Sequence, residues 1–220
     1  MTASSDADHV SATRTAYNTV AASYQELLKD SLAESPWERA MLDTFTELVG
    51  AGARVGDLGC GTGRVTAYLA THGLDAFGID LSPGMIEVAR QWYPELEFEV
   101  GSLAALPLAD ASLPGALAWY SLIHTPPERL PVLVAELARV LEPGGRLLTG
   151  FQLGTDVRHI TDAYGHDGLS LDAYRLDPGF VGGLLTDAGF SVDARLVCKP
   201  EPPYQTPQAF LLATKENKEN

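Results

Sequence analysis

The run Val55-Gly56-Asp57-Leu58-Gly59-Cys60-Gly61-Thr62-Gly63 constrains the fold of this chain more than any other stretch. Three glycines at every second position let the backbone bend through positive φ and leave no Cβ between the main chain and a bound group. Residues Ala53 to Leu58 read as a strand and Thr62 to His72 as the helix that follows, so the glycines sit at a strand-to-helix junction. Their spacing then separates ligand classes. A dinucleotide fingerprint, G-x-G-x-x-G, needs its third glycine three positions after the second, and Arg64 occupies that slot. The D-x-G-x-G-x-G loop instead reads as a cradle for another nucleotide-type cofactor.

Strands and helices alternate from Ala53 onward, which predicts a parallel sheet covered on both faces. The expected strands are Asp75 to Asp80, Leu96 to Val100, Ala116 to Tyr120, Arg146 to Phe151, Phe190 to Val197 and Ala209 to Thr214, the last two as a hairpin-like edge. Ser82 and Pro83 are placed as N-cap and first residue of a helix reaching Trp92. Pro127 to Leu141 and Pro178 to Ala188 supply further helices. Two helices precede the sheet, near Ser11 to Leu28 and Pro36 to Val49, the second opened by Ser35 and Glu38 as a capping box. Gly154 to Leu176 is the least regular part and reads as a lid or binding loop.

Composition narrows the partners. A chain of 220 residues with 45% hydrophobic content buries one sizeable core, hence one domain. A net charge of -14 with no Lys/Arg cluster argues against a phosphate backbone as partner, so a small molecule is favoured over nucleic acid. Cys60 and Cys198 are too few for a disulfide framework or zinc site, and no H-x-E, C-x-x-C or carboxylate cluster suggests a metal. No apolar run approaches a membrane span. Met1 to His9 lack the order of a signal peptide, which makes a reducing cytoplasm the expected location.

Asp80 closes the second strand, at the carboxyl edge where parallel sheets open into a crevice. There a carboxylate can accept both hydroxyls of a ribose. Together with Gly78-Ile79-Asp80-Leu81-Ser82-Pro83-Gly84-Met85, Leu106-Pro107-Leu108, His124 and the run Ala138 to Leu148, the glycine loop resembles the class I S-adenosylmethionine (SAM) methyltransferases over about Tyr17 to Leu212. The resemblance implies a Rossmann-like α/β fold, with a mostly parallel seven-stranded sheet, an antiparallel last strand, helices on both faces and an N-terminal helical lid. It divides residues 1–217 into a helical cap (1–50), a SAM-binding core (51–152), an irregular substrate-side segment (153–177) and a C-terminal helix with strands (178–214), before a polar tail (215–220).

On that resemblance, Asp57, Gly59, Cys60, Gly61 and Gly63 wrap the methionine part of SAM, and Asp80 holds the ribose. Leu81 and Met85 flank the adenine, and Ser102 and Leu103 line its edge. Ser102 stands where many members carry an Asp, which weakens the adenine contact. Pro114 stands where members commonly carry an acidic residue before the fourth strand, which implies a late start for that strand. Tyr17 and Tyr24, seven apart on the lid helix, approach the methionine carboxylate. Trp119 and Tyr120 end the fourth strand beside the sulfonium, Tyr120 as an electron-rich wall and Trp119 toward the substrate.

The activity implied is in-line transfer of the methyl group to an O, N or C nucleophile of a small metabolite, metal-independent, yielding S-adenosylhomocysteine. A general base is needed only for a protonated acceptor, and His124 is the leading candidate. His159, Tyr164 and His166 are weaker substrate contacts, while His9 and His72 read as surface. Cys60 fits a small loop residue better than a nucleophile. The expected assembly is a monomer or homodimer. Two alternatives stay open: the same fold using SAM structurally, as a cyclase, decarboxylase or regulator, and a nicotinamide-dependent oxidoreductase.

Overall fold

A computed structural model describes residues 3–200 and 205–217, so the end of the expected polar tail, 218–220, lies outside the described residues. Helices α1 (Ala3–Leu28) and α2 (Pro36–Val49) precede a βα succession: β1 (Arg54–Leu58), α3 (Arg64–Thr71), β2 (Asp75–Asp80), α4 (Pro83–Trp92) and β3 (Glu97–Val100). Then follow β4 (Leu113–Trp119), two 3-10 turns at Leu122–His124 and Pro127–Arg129, α5 (Leu130–Val140) and β5 (Leu141–Gln152). The chain closes with β6 (Val157–Ala163), β7 (His166–Tyr174), α6 (Pro178–Asp187), β8 (Phe190–Cys198) and β9 (Gln208–Lys215).

Seven strands form one sheet in the order β3-β2-β1-β4-β5-β9-β8. All are parallel except β9, which runs antiparallel to both β5 and β8. The last strand is thus antiparallel as expected, but it lies inside the sheet and β8 forms the edge. Successive residues point to opposite faces. Ala116, Leu147 and Leu211 enter a core with α5 and α6, while Leu117, Leu148 and Leu212 enter a second with α2 and α3. The chain reverses direction across the sheet between β1 and β4, so the crevice at their carboxyl ends is the topological switch point, where open α/β sheets bind ligands.

Three expectations need correction. β4 starts at Leu113 rather than late, because the ladder with β5 breaks between Leu113 and Gly115 and Pro114 owes no N–H there. Ser35 makes no cap bond; Glu38 instead turns inward, is buried, and accepts from the Tyr120 hydroxyl at 3.0 Å. The segment from Gly154 to Leu176 is no irregular loop: β6 and β7 pair as an antiparallel hairpin outside the main sheet. Its tip, Tyr164-Gly165, carries two successive positive φ angles (53° and 80°), as hairpin turns matching strand twist require.

That hairpin packs on α1. Leu169 and Leu171 meet Ala16, Val20, Ala21 and the α4 residue Met85 in a small separate cluster. Asn18 pins α1 to the start of α4, its Oδ1 accepting from Ser82 Oγ (2.7 Å) and the Gly84 N–H (2.9 Å). Ser82 caps the same helix, accepting from the Met85 N–H, and Pro83 opens it, as the sequence predicts. A Cβ on Gly84 would lie 3.1 Å from the Asn18 Cα, a tight contact that a glycine avoids where the two helices meet. Helix α1 and the hairpin together roof the switch point.

Candidate functional site

Under that roof lies a cavity of about 340 Å³. Its floor is the glycine loop. Gly59, Gly61 and Gly63 all have positive φ (86°, 55° and 80°), but they serve different ends. A Cβ on Gly59 would fall 2.2 Å from the Ser121 Cβ, so this glycine lets the β1 loop meet the β4 loop, where Ser121 Oγ also donates to the Leu58 carbonyl. A Cβ on Gly63 would strike the Phe98 ring at 2.6 Å; Gly63 does not border the cavity and packs α3 onto β3. Gly61 alone faces open space, with only the Tyr24 ring at 4.0 Å. Cys60 sits over Gly78, whose added Cβ would lie 2.6 Å from its sulfur, so a small residue is required there. Burial raises the Cys60 thiol well above its ordinary pKa, the reverse of an activated nucleophile.

Asp80 anchors the loop from β2. Its Oδ2 accepts from the Gly61 N–H and its Oδ1 from the Ser82 N–H, both at 2.8 Å. Each oxygen keeps a lone pair for a further donor. Burial raises its pKa, and the two backbone bonds oppose the rise. Asp57 lies deeper, at 1% exposure, with Oδ2 accepting from Thr66 Oγ1 at 2.7 Å and Oδ1 without a partner. Desolvation lifts its pKa from the ordinary carboxylate value to about 6, against the pull of the Thr66 bond. Thr62 Oγ1 is likewise buried and unpartnered, in a residue that lines the same cavity.

A buried carboxylate oxygen with no donor, lining a cavity, is a costly arrangement that a bound cation or N–H group relieves. The aromatic rings of Tyr17, Tyr24, Tyr120 and Tyr164 border the same space. Tyr120 and Tyr164 both hold positive φ (53°), strain of a kind concentrated at functional sites. Leu81, Met85, Ser102 and Leu103 border it at the β2 and β3 ends. The donor set and the glycine floor fit a cofactor that combines an ammonium, a ribose and a sulfonium.

Two roof residues have protein partners of their own. Tyr24 pairs with Arg64, whose guanidinium also donates to Ser31 Oγ at 2.6 Å. In the sequence Arg64 only excludes a dinucleotide; in the fold its cation, with an unpartnered buried Nε, is the group suited to a carboxylate. The Tyr17 hydroxyl is held instead by His124 Nε2 at 2.5 Å. His124 Nδ1 donates to the Asp172 carbonyl of β7 at 2.9 Å, which leaves Nε2 the acceptor and makes Tyr17 the donor. Burial holds the His124 imidazole down at about 4.

His9, read as surface from the sequence, lines the cavity and donates through Nε2 to the His124 carbonyl. His159 lies outside the cavity, exposed and paired with Asp172 Oδ1 at 2.7 Å. Tyr164 reaches the cavity from the hairpin tip, while His166 contacts Ser23 Oγ on α1. Trp119 lines the cavity and stacks on Phe210 at 5.1 Å between ring centres. Among the described residues no three His, Cys, Asp or Glu side chains gather as metal ligands. No described helix is long and apolar enough to cross a membrane.

The seven-stranded sheet of this order, with its antiparallel β9, is the Rossmann-like fold that class I methyltransferases share. Residues 55–145 match the family model described as "Methyltransferase domain". It is 39% identical over 118 residues to an O-methyltransferase of Pyrenophora dematioidea, covering 50% of this chain and 43% of the relative. It is 38% identical over 114 residues to the demethylmenaquinone methyltransferase of Beutenbergia cavernae, covering 51% and 45%. The chain thus spans about half the length of these relatives. A SAM-dependent methyltransferase structure from Methanosarcina mazei superposes with a TM-score of 0.70 at 20% identity, over 78% of this chain and 96% of that one.

Proposed function

We propose that this protein is a SAM-dependent methyltransferase that methylates an O, N or C nucleophile of a small organic metabolite without a metal. The observation that carries the reading is the unpartnered Asp57 Oδ1 buried beside the Asp80 clamp, on a floor of glycines. In this reading Asp57 receives the ammonium of the methionine part, Arg64 with Tyr24 its carboxylate, and Asp80 the ribose hydroxyls. Leu81, Met85, Ser102 and Leu103 enclose the adenine. When bound, SAM supplies an activated methyl group. The chain's own task is then to hold an acceptor in line at near-attack distance and to keep water out, which α1 and the hairpin do by roofing the cavity.

The net charge of -14 supports a small-molecule acceptor over nucleic acid, and the protein acts in the cytoplasm as a monomer or homodimer under this reading. Calorimetry with SAM and S-adenosylhomocysteine, followed by mass spectrometry of metabolite extracts for a gain of one methyl group, tests it. Binding without any methylated product from any acceptor would favour a structural use of the cofactor. Binding of NADH but not SAM would return the loop to oxidoreductases.

A further inference from the structure

Three elements that are remote in sequence meet at one imidazole. His124 follows β4, Tyr17 comes from α1, and the Asp172 carbonyl comes from β7 of the hairpin. The carbonyl can only accept, so it fixes Nδ1 as the protonated nitrogen, and Nε2 is already filled by the Tyr17 hydroxyl. No ring nitrogen of His124 is left for a substrate. The Tyr17 oxygen, having given its own hydrogen to His124, is left with lone pairs alone.

We propose that Tyr17, rather than His124, meets the methyl acceptor, that it relays the acceptor's proton to His124, and that the acceptor is a neutral phenol or enol. This rests on the methyl-transfer reading above. An oxygen that can only accept selects a donor, hence an O–H or N–H acceptor. Charge then separates the two. An ammonium has no lone pair with which to attack the methyl group, and among the described residues the carboxylates that line the cavity, Asp57 and Asp80, both lie at the glycine loop rather than beside the Tyr17 oxygen as a base. An anionic acceptor would face the Tyr17 lone pairs. A neutral hydroxyl suits the position, and Ile123, Trp119, Tyr120 and Tyr164 offer the apolar, largely aromatic walls that a planar ring fits.

The step balances as follows. The acceptor O–H bond breaks, its proton joins the Tyr17 oxygen, and the Tyr17 proton moves to His124 Nε2. The freed electron pair on the acceptor oxygen, or on the conjugated carbon of an enol, forms the bond to the methyl group. The S–CH3 bonding pair stays with the sulfur of the donor. One positive charge leaves that sulfur while another appears on His124, so the buried charge is constant through the step. The proton on His124 returns to solvent as product leaves. Burial holds the imidazole at about 4, so it resists the proton as well as releasing it, and the uptake is driven by the loss of the sulfonium charge in the same step rather than by the basicity of His124.

The test uses the full chain, Tyr17→Phe and His124→Gln, with SAM and a series of phenols that spans those neutral and those already ionised at the assay pH. The expected result is a fall in kcat of roughly 10²–10⁴-fold for the neutral phenols in both variants, with KM changed far less. Phenols ionised beforehand need no relay and should lose only a few-fold. A readout without turnover is the imidazole ¹⁵N spectrum with S-adenosylhomocysteine bound: His124 should show a protonated Nδ1 and a hydrogen-bonded Nε2, and lose the second signature in Tyr17→Phe. Equal losses for neutral and ionised phenols would overturn the relay. Transfer to amines or thiols but to no phenol or enol would overturn the acceptor class while leaving methyl transfer intact. Failure to bind SAM at all would remove the underlying reading instead.

Discussion

The cavity has two halves built by different rules. Its floor, the loop from Gly59 to Gly63 with Asp57 and Asp80, is made by residues within one βαβ unit. Its roof, α1 and the β6–β7 hairpin, is assembled from segments over a hundred residues apart in the chain, joined through Tyr17, His124 and Asp172. The floor is determined by local backbone chemistry: φ above zero, missing Cβ atoms, N–H groups turned onto a carboxylate. The roof is determined by which distant faces pack. The floor should therefore respond to substitution as a rigid frame and the roof as an adjustable cover.

The largest effect falls on the floor. Gly59→Ala forces a Cβ into Ser121 at a left-handed position, and we expect a loss of about 2–5 kcal/mol in stability, read by thermal or urea unfolding. Gly61→Ala faces open space. It should cost only about 1 kcal/mol in stability while weakening SAM binding. Equal destabilisation by the two would contradict the separate roles given to these glycines.

Asp57 separates stability from binding within the floor. Its pKa is raised in the folded protein, so ionising it opposes folding: the cost is absent below about pH 4, grows as pH rises, and is complete above about pH 6. A rise from the ordinary value to about 6 is worth at most about 3 kcal/mol. Asp57→Asn should therefore raise the unfolding temperature of the free protein at pH 7–8, have little effect at pH 4, and weaken SAM binding at every pH above 6. A variant less stable at pH 8 would mean that the carboxylate is satisfied without a ligand.

Loosening the roof away from Tyr17 and His124 should give smaller changes. Asn18→Ala removes the two bonds that tie α1 to α4, about 1–2 kcal/mol of closure, and should speed release of S-adenosylhomocysteine several-fold in stopped-flow measurements. An unchanged release rate would show that α1 does not gate the cavity. His159→Ala, outside the cavity and exposed, should leave activity as it is.

The same contrast governs what the sequence reveals. The βα succession, the N-cap at Ser82 and the switch-point loop are legible because each depends on residues close together. β2 (Asp75–Asp80) and α4 (Pro83–Trp92) fall where the pattern puts them. The hairpin is only half legible: Leu169, Leu171 and Ala173 alternate with polar residues along β7 and mark a strand, but β6 is mostly exposed with no such pattern, and the turn opens with Tyr164 rather than the usual Asn or Gly. Glu38 mimics a capping box in sequence, and only the fold shows its carboxylate against Tyr120. Arg64 stands next to the glycines in plain view, yet its use depends on Ser31 and Tyr24 arriving from the cap. Tyr17 and His124 are each recognisable as candidates, but no spacing announces that they bond to each other.

The central claim is that the glycine floor and Asp80 seat the adenosine of SAM. Isothermal titration of SAM into the wild-type protein and into Asp80→Ala tests it most directly. Losing hydrogen bonds to a charged group at about 1.5–3 kcal/mol each should weaken binding by at least about a hundredfold in the variant, with the fold intact by circular dichroism. Equal affinity in the two proteins, or no binding by the wild type, would contradict the account.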